Sequence, residues 1–142
     1  MCAVAASEIT LDASVQGFIQ QPRKMLIGGK WVTAESGETF DVYNPATDEV
    51  IAKVQSAGAA DVDKAVKAAR KAFEDGPWSR MTPAERGRIV WKIGDLITQH
   101  AEELAQLESL DNGKPIAVAR AADIPMCADN FQYMAGWATK LS

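Results

Sequence analysis

The sequence lacks the features that mark secreted, membrane-spanning and nucleic-acid-binding proteins. Its two cysteines, Cys2 and Cys127, form neither a disulfide framework nor a metal-ligand spacing, which favours a reducing compartment, the cytoplasm. No apolar run approaches the ~20 residues that a membrane-spanning helix needs. Lysine and arginine are scattered among the acidic residues, and the net charge is -4. We therefore expect no membrane segment and no nucleic-acid partner.

Motifs that carry chemistry are also scarce. The sequence contains neither the glycine-rich G-x-G-x-x-G fingerprint of dinucleotide-binding folds nor a phosphate-binding loop. His100 is the single histidine, and no motif fixes a nucleophile or a carboxylate beside it, so we interpret it as a surface residue. Cys127 lies in an apolar helical stretch and is interpreted as a packing residue. Its position soon after Pro125, near a possible helix start, leaves a mildly activated thiol as the alternative.

The first 21 residues contain no lysine and no arginine. That absence argues against a secretory signal and against an arginine-rich transit peptide. The stretch mixes alanine, serine and glutamine with isolated apolar residues. We therefore predict a flexible leader over residues 1–21 and a folded unit over residues 22–142.

Short strand patterns occupy the first third of the folded unit. Residues 25–27 and 30–32 flank Gly28 and Gly29, and glycine suits the positive φ values of a tight hairpin turn. Residues 39–43 alternate between apolar and polar, and residues 50–54 form another apolar run. These patterns predict an antiparallel meander of three or four strands.

Helical patterns fill the chain after Gly58. Val62, Val66 and Phe73 share one helix face. A second helix begins at the capping box of Thr82 and Glu85. Asn112-Gly113 predicts the end of a helix with a glycine cap. A last helix is predicted over residues 115–141, and Pro125 should divide it near Asp123. The chain by itself is therefore expected to be α+β and mostly helical.

Six segments resemble, in order and spacing, the start of an NAD(P)-dependent aldehyde dehydrogenase. They are Ile27-Gly28-Gly29-Lys30-Trp31, residues 43–51 with the turn Asn44-Pro45-Ala46-Thr47, residues 61–70, Trp78 with Arg86-Gly87-Arg88, residues 108–115 with Leu110-Asp111-Asn112-Gly113-Lys114-Pro115, and residues 133–140. The resemblance covers residues 25–141. It implies an α/β fold in which residues 22–142 supply the meander and helices of an incomplete, Rossmann-like cofactor domain.

The resemblance also implies an activity. Similar enzymes oxidise an aldehyde to a carboxylic acid with NAD or NADP, through a cysteine thiohemiacetal and a glutamate base, and they form homodimers or homotetramers. The family's cysteine, glutamate, oxyanion asparagine and cofactor contacts match positions after residue 142, so the chain is expected to be inactive alone. The alternative is a non-catalytic binding or assembly module that reuses the same helical layer.

Two groups of residues in this chain match sites of the family. Ala122, Met126 and Asn130 match the helix that walls the substrate tunnel, and their spacing places them on one face. Val42 or Tyr43, together with Asp111, match main-chain ligands of a monovalent cation. The absent central strands of the cofactor domain also lead us to expect that helix faces such as Val62, Val66 and Phe73 are partly exposed.

Overall fold

Antiparallel hairpins followed by a layer of helices make up the computed structural model, which describes residues 10–141. The strands are β1 (Met25–Ile27), β2 (Lys30–Val32), β3 (Thr39–Asn44) and β4 (Glu49–Gln55). The helices are α1 (Ala13–Ile19), α2 (Ala59–Asp75), α3 (Pro83–Gln99), α4 (Ala101–Asn112), α5 (Ile116–Val118) and α6 (Ile124–Ala135), with a 3₁₀ turn at Pro77–Arg80 and a π-helical turn at Ala119–Asp123. The expected combination of small antiparallel strand pairs and helices is confirmed.

The four strands pair as two separate hairpins, β1 with β2 and β3 with β4, rather than as one continuous meander. In the segment that connects the two hairpins, side chains accept hydrogen bonds from the backbone N–H groups. Gln55 Oε1 accepts a hydrogen bond from the N–H of Ala34 at 2.8 Å, and both carboxylate oxygens of Asp61 accept from the N–H of Glu35 at 3.2 Å. These bonds occupy backbone donors that a third ladder strand would use.

Asp61 also fixes the start of α2. Its carboxylate accepts from the N–H of Gly58 at 3.1 Å, and the residue is 4% exposed. A carboxylate in the first turn satisfies free N–H groups and lies at the positive end of the helix dipole. One buried side chain therefore joins the first hairpin to the helical layer.

The ends of the helices follow the local signals in the sequence, with one difference. Thr82 Oγ1 accepts from the N–H of Glu85 at 3.3 Å, and Glu85 Oε2 accepts from the N–H of Thr82 at 2.7 Å, as the capping box predicts. Gly113 caps α4 in the left-handed region at φ +67°. The last helix ends at Ala135 rather than at residue 141, because the N–H of Gly136 bonds a carbonyl only three residues earlier and tightens the chain into turns.

A π-helical turn divides the last helical stretch, close to the division predicted at Pro125. The N–H of Ile124 donates to the carbonyl of Ala119, five residues earlier. In a regular α-helix the ring of Pro125 would crowd the carbonyl four residues before it, and the proline has no N–H to donate. The wider turn relieves that conflict.

Helix α1 lies inside the segment assigned to the flexible leader, and the leader prediction is corrected there. Val15 is 0% exposed, and the N–H of Asp12 donates to Gln106 Oε1 at 2.9 Å. The sequence did not reveal this helix, because its seven residues bury a single apolar side chain and so show no helical repeat of apolar residues. Residues 1–9 of the predicted leader lie outside the described residues, and the boundary at residue 21 stays a prediction.

Helices α3 and α6 pack with close backbone contact. A Cβ atom at Gly94 would lie 2.9 Å from the carbonyl oxygen of Ala128, and one at Gly87 would lie 2.9 Å from that of Ala135. Small residues face each other at both points, and all four are buried. The two glycines therefore set how closely the helices approach.

The apolar face of α2 is exposed, as expected from the sequence. The exposed fractions are 53% for Val62, 60% for Val66 and 69% for Phe73. Contiguous exposed apolar surface of this kind is typical of an interface. None of the helices within residues 10–141 is long and apolar enough to cross a membrane.

Candidate functional site

Helix α6 exposes two of the three predicted tunnel residues. Met126 is 65% exposed and Asn130 is also exposed, whereas Ala128 on the same helix is buried. Ala122 is half-buried and belongs to the π-helical turn, so the α-helical period that would align it with Met126 is interrupted. The structure thus brings Met126 and Asn130 onto the exposed side and separates Ala122 from them.

Tyr133 on α6 and Trp137 in the turns after it are also exposed, and neither was among the predicted tunnel residues. Their rings lie edge to face with centroids 6.3 Å apart, and Tyr133 is 64% exposed. The spacing of Met126 and Tyr133, at i and i+7, could have indicated a shared helix face. An aromatic and thioether surface of this kind suits flat apolar groups.

A mostly apolar cavity of about 540 Å³ lies between the β3–β4 hairpin and the helices. Val42 and Asp111, two of the predicted cation-site residues, both line it. Tyr43 is 51% exposed and is not among the lining residues. Val42 and Asp111 therefore line the same cavity, and Tyr43 does not.

At these two positions the regular backbone pairing is interrupted or ends. Val42 pairs with Ala52 and Tyr43 pairs with Val50, so Ile51 is an extra residue that interrupts the ladder opposite the Val42–Tyr43 peptide. Asp111 lies in the last turn of α4, where carbonyl oxygens lack helical partners and the dipole is negative. Carbonyl oxygens are hard ligands that suit alkali cations. Among the described residues no group of three or more His, Cys, Asp or Glu side chains could hold a metal ion.

The segments that carry these two positions touch each other at Gly113 and Pro45. A Cβ atom at Gly113 would lie 2.9 Å from Cγ of Pro45 and 3.6 Å from the backbone nitrogen of Ala46. Only a glycine, at φ +67°, allows the proline ring this approach. We call this contact the Gly113–Pro45 contact. It joins the end of α4 to the turn after β3.

An ion-pair network fixes the π-helical turn to α4. Arg120 donates to Glu102 through Nε at 2.8 Å and through Nη2 at 2.5 Å, and Gln106 Nε2 donates to the same carboxylate at 2.7 Å. Hydrogen bonds from the Arg120 guanidinium and, next, from the Gln106 amide lower the pKa of Glu102 from its ordinary value of 4.5 to about 2. A second pair, Lys114 Nζ to Asp123 Oδ2 at 2.6 Å, holds the other end of the turn.

We expect the Glu102 network to make stability depend on acid pH. Because the folded-state pKa lies below the unfolded-state value, the stabilisation is complete above pH 4.5 and is lost as the pH falls toward 2. The free energy of unfolding, measured with urea, should fall more for the wild type than for Glu102→Gln between about pH 6 and about pH 3, because the glutamine cannot titrate. Glu49→Gln, at an exposed glutamate outside this network, should behave like the wild type. An equal loss in wild type and Glu102→Gln would contradict this assignment.

His100 and Cys127 form no reactive pair. The His100 side chain is 58% exposed, with Nδ1 3.1 Å from Glu103 Oε2, which confirms the surface interpretation. Cys127 is exposed and lines the cavity, so its interpretation as a packing residue is wrong. The reason is that α6 packs on α3 through Ala128, whereas its neighbour Cys127 projects toward unfilled space.

Comparison with known proteins gives a consistent result. Residues 31–142 match the model of the aldehyde dehydrogenase family. The chain is 52% identical to an aldehyde dehydrogenase from Bacillus cereus whose structure was solved as an NAD+ complex, with a TM-score of 0.91 over 94% of this chain and 27% of that one.

Two curated relatives are similar in the same way. Aldehyde dehydrogenase family 2 member B4, mitochondrial, of Arabidopsis thaliana is 47% identical, over 96% of this chain and 25% of its own length. The benzaldehyde dehydrogenase, mitochondrial, of Antirrhinum majus is 46% identical, over 83% and 22% respectively. The chain thus spans about a quarter of the length of the relatives that it matches.

Proposed function

The chain belongs to the aldehyde dehydrogenase family, and we propose that it serves as the N-terminal part of the cofactor domain of an enzyme that oxidises an aldehyde to a carboxylic acid with NAD or NADP. The observation that carries this proposal is the pairing of a 0.91 TM-score with coverage of 27% of the matched structure. A fold this similar to one quarter of a larger enzyme supports a role as one part of such an enzyme. The chain alone is expected to be inactive.

The exposed face of α2 supports this role. In the proposed enzyme Val62, Val66 and Phe73 cover the sheet that holds the nucleotide, as helices do in layered α/β folds. Burial of these side chains stabilises by about 1.5–3 kcal/mol for each large residue. The cofactor supplies the hydride acceptor, and the contribution of this chain is to hold the sheet and to shape the substrate path.

We assign Met126 and Asn130 to the wall of the substrate tunnel, with Ala122 at its half-buried end. The thioether of Met126 and the neighbouring Tyr133 favour apolar, especially aromatic, aldehydes. The similarity to a benzaldehyde dehydrogenase supports the same class. The amide of Asn130 can donate to the aldehyde oxygen or to a ring substituent.

We further propose that main-chain oxygens of Val42 or Tyr43 and of Asp111 bind a monovalent cation. The support is the interrupted ladder beside Val42 and the free carbonyl end of α4, at one cavity. The ion would add its charge to the negative end of the helix. We propose a cytoplasmic homodimer or homotetramer, without a nucleic-acid or membrane partner, in keeping with the net charge of -4.

A chimera tests the proposal. This chain replaces the matching quarter of the Bacillus cereus aldehyde dehydrogenase, and NADH formation is followed with benzaldehyde and with short aliphatic aldehydes. We expect the chimera to be active and Met126→Ala to raise KM for benzaldehyde about tenfold, because one lost apolar contact is worth about 1–3 kcal/mol. Met134→Ala, also exposed on α6, is the matched control and should leave KM unchanged. A folded, soluble chimera without aldehyde-dependent NADH formation would contradict the proposal.

A further inference from the structure

We infer that an open groove on α3 is a contact between two copies of this chain, packed antiparallel about a two-fold axis. The inference rests on the homo-oligomer of the proposed function and names one surface for it. Met81, Ile89, Ile93 and Leu96 form the apolar part of the groove. The three of them that lie within α3 are all exposed. We call this surface the α3 groove.

The α3 groove lies on the side of the helix that faces away from α6. Gly87 and Gly94 contact α6, and Ile89 and Leu96 each follow one of these glycines by two residues. Two residues correspond to about 200° around an α-helix. The groove is therefore opposite the α3–α6 contact, and its apolar side chains are exposed within residues 10–141.

Charged side chains distinguish the α3 groove from the apolar face of α2. Glu85 and Lys92 line the groove among its apolar residues. The face of α2 is instead completed by two alanines, Ala65 and Ala69. Because charged side chains are almost never fully buried unless they are paired, whatever covers the α3 groove must supply opposite charges.

A second copy of α3 supplies opposite charges at matching positions. Glu85 and Lys92 stand at equal distances before and after the point between residues 88 and 89. Met81 and Leu96 also stand at equal distances from that point. An antiparallel copy centred there places Lys92 opposite Glu85, and Leu96 opposite Met81. Each pair then occurs twice, as an interface with two-fold symmetry requires.

Glu85 can pair with a second copy and still cap its own helix. Its Oε2 accepts from the N–H and the hydroxyl of Thr82 at 2.7 and 2.8 Å, so Oε1 is available to Lys92 of the second copy. The backbone and then the side-chain hydrogen bond from Thr82 lower the pKa of Glu85, which keeps the carboxylate charged at neutral pH. Arg88 lies about 100° around the helix from Ile89, at the edge of the groove. The ion pairs thus fix the register of the contact, and its apolar residues supply the burial.

The α3 groove is one face of one helix, which is small beside the about 1,200–2,000 Å² that stable interfaces bury. We therefore expect a weak, reversible dimer, and disulfide formation at millimolar protein concentration is the measurement that detects it. The 142-residue chain first receives Cys2→Ser and Cys127→Ser, which remove its own thiols. It also receives Val66→Lys and Phe73→Lys, so that the exposed face of α2 does not bring copies together.

Single cysteines are then placed in this background as Ile89→Cys or as Leu96→Cys. Residue 89 adjoins the proposed two-fold axis, so its two copies face each other closely enough for a disulfide, which needs Cα atoms within about 7 Å. The two copies of residue 96 lie about 22 Å apart along the helix axes. Both native side chains are exposed, which makes the two variants matched in burial.

We expect Ile89→Cys to form disulfide-linked dimers about tenfold faster than Leu96→Cys, because the contact raises the local thiol concentration. A mixture of Met81→Cys and Leu96→Cys should give the mixed dimer. Adding Lys92→Glu to Ile89→Cys should slow the reaction about fivefold, since both ion pairs become repulsive. Lys71→Glu, with the same change of charge on α2, should leave the rate unchanged.

Circular dichroism confirms that each variant is folded before its rate is compared. Equal rates for Ile89→Cys and Leu96→Cys, whether fast or slow, would refute the antiparallel contact. Equal effects of Lys92→Glu and Lys71→Glu would refute the proposed register. None of these results bears on the chimera assay, which judges the dehydrogenase separately.

Discussion

Alanine at both Gly87 and Gly94 is expected to lower the free energy of unfolding by up to about 4 kcal/mol. Each added Cβ would meet a backbone carbonyl oxygen of α6 at 2.9 Å, and the one at Gly94 would also meet Cγ of Gln132 at 2.8 Å. Backbone atoms cannot rotate away as a side chain can, so the helices must separate. Overpacking of this kind costs about 1–3 kcal/mol for each site.

The helix propensity of alanine works in the opposite direction and offsets part of the clash. It returns at most about 1 kcal/mol for each glycine replaced inside a helix. The two sites are seven residues apart, about 10 Å along α3, so their effects should add approximately. A loss of this size is a substantial part of the about 5–15 kcal/mol that stabilises a domain.

Gly17 in α1 provides the control for propensity without a clash. A Cβ atom there would meet nothing within 4 Å. Gly17→Ala should therefore raise stability by up to about 1 kcal/mol. Urea unfolding followed by circular dichroism measures Gly87→Ala, Gly94→Ala, the double variant of both, and Gly17→Ala. Equal stabilisation by alanine at positions 17, 87 and 94 would show that α3 and α6 do not pack in close backbone contact.

A pair of substitutions on the exposed face of α2 should have little effect in the isolated chain and a large effect in the chimera. Val66→Lys with Phe73→Lys should change the stability of the isolated chain by less than about 0.5 kcal/mol, because both side chains are mostly exposed there. In the chimera with the Bacillus cereus enzyme, the same change buries two unpaired charges. Each costs several kcal/mol, so soluble, active chimera should be lost.

Lys71→Glu is the matched control for this pair. Lys71 is exposed on α2 and its substitution also alters charge, but it lies off the apolar face. We expect it to be tolerated in both the isolated chain and the chimera. If the lysine pair is tolerated in the chimera as well, then the α2 face does not pack on the cofactor domain.

Local signals were sufficient to predict most of the helix ends. The capping box at Thr82 and the glycine cap at Gly113 depend on residues a few positions apart, so the sequence displays them completely. The division of the last helix was also readable, since the conflict at Pro125 is local. The form of the division, a π-helical turn that sets Ala122 apart from Met126, depends on how the backbone resolves that conflict and was not readable.

Contacts between distant segments were beyond sequence reasoning. Asn44-Pro45 and Asn112-Gly113 were each recognised as turn signals, and nothing in the pattern indicates that Pro45 packs on Gly113. Cys127 was interpreted as buried because its neighbours are apolar, whereas the cavity beside it decides its exposure. The order of the family segments identified the protein class. Their spatial contacts required the structure.

We propose that the exposed α2 face is one half of an interface with the remainder of an aldehyde dehydrogenase. The most direct test is the rate at which a maleimide modifies the Val66→Cys variant, read at that peptide by mass spectrometry, in the isolated chain and in the chimera. We expect rapid modification in the isolated chain and a rate about a hundredfold lower in the chimera, where access requires local opening. Equal rates in the two proteins would contradict it.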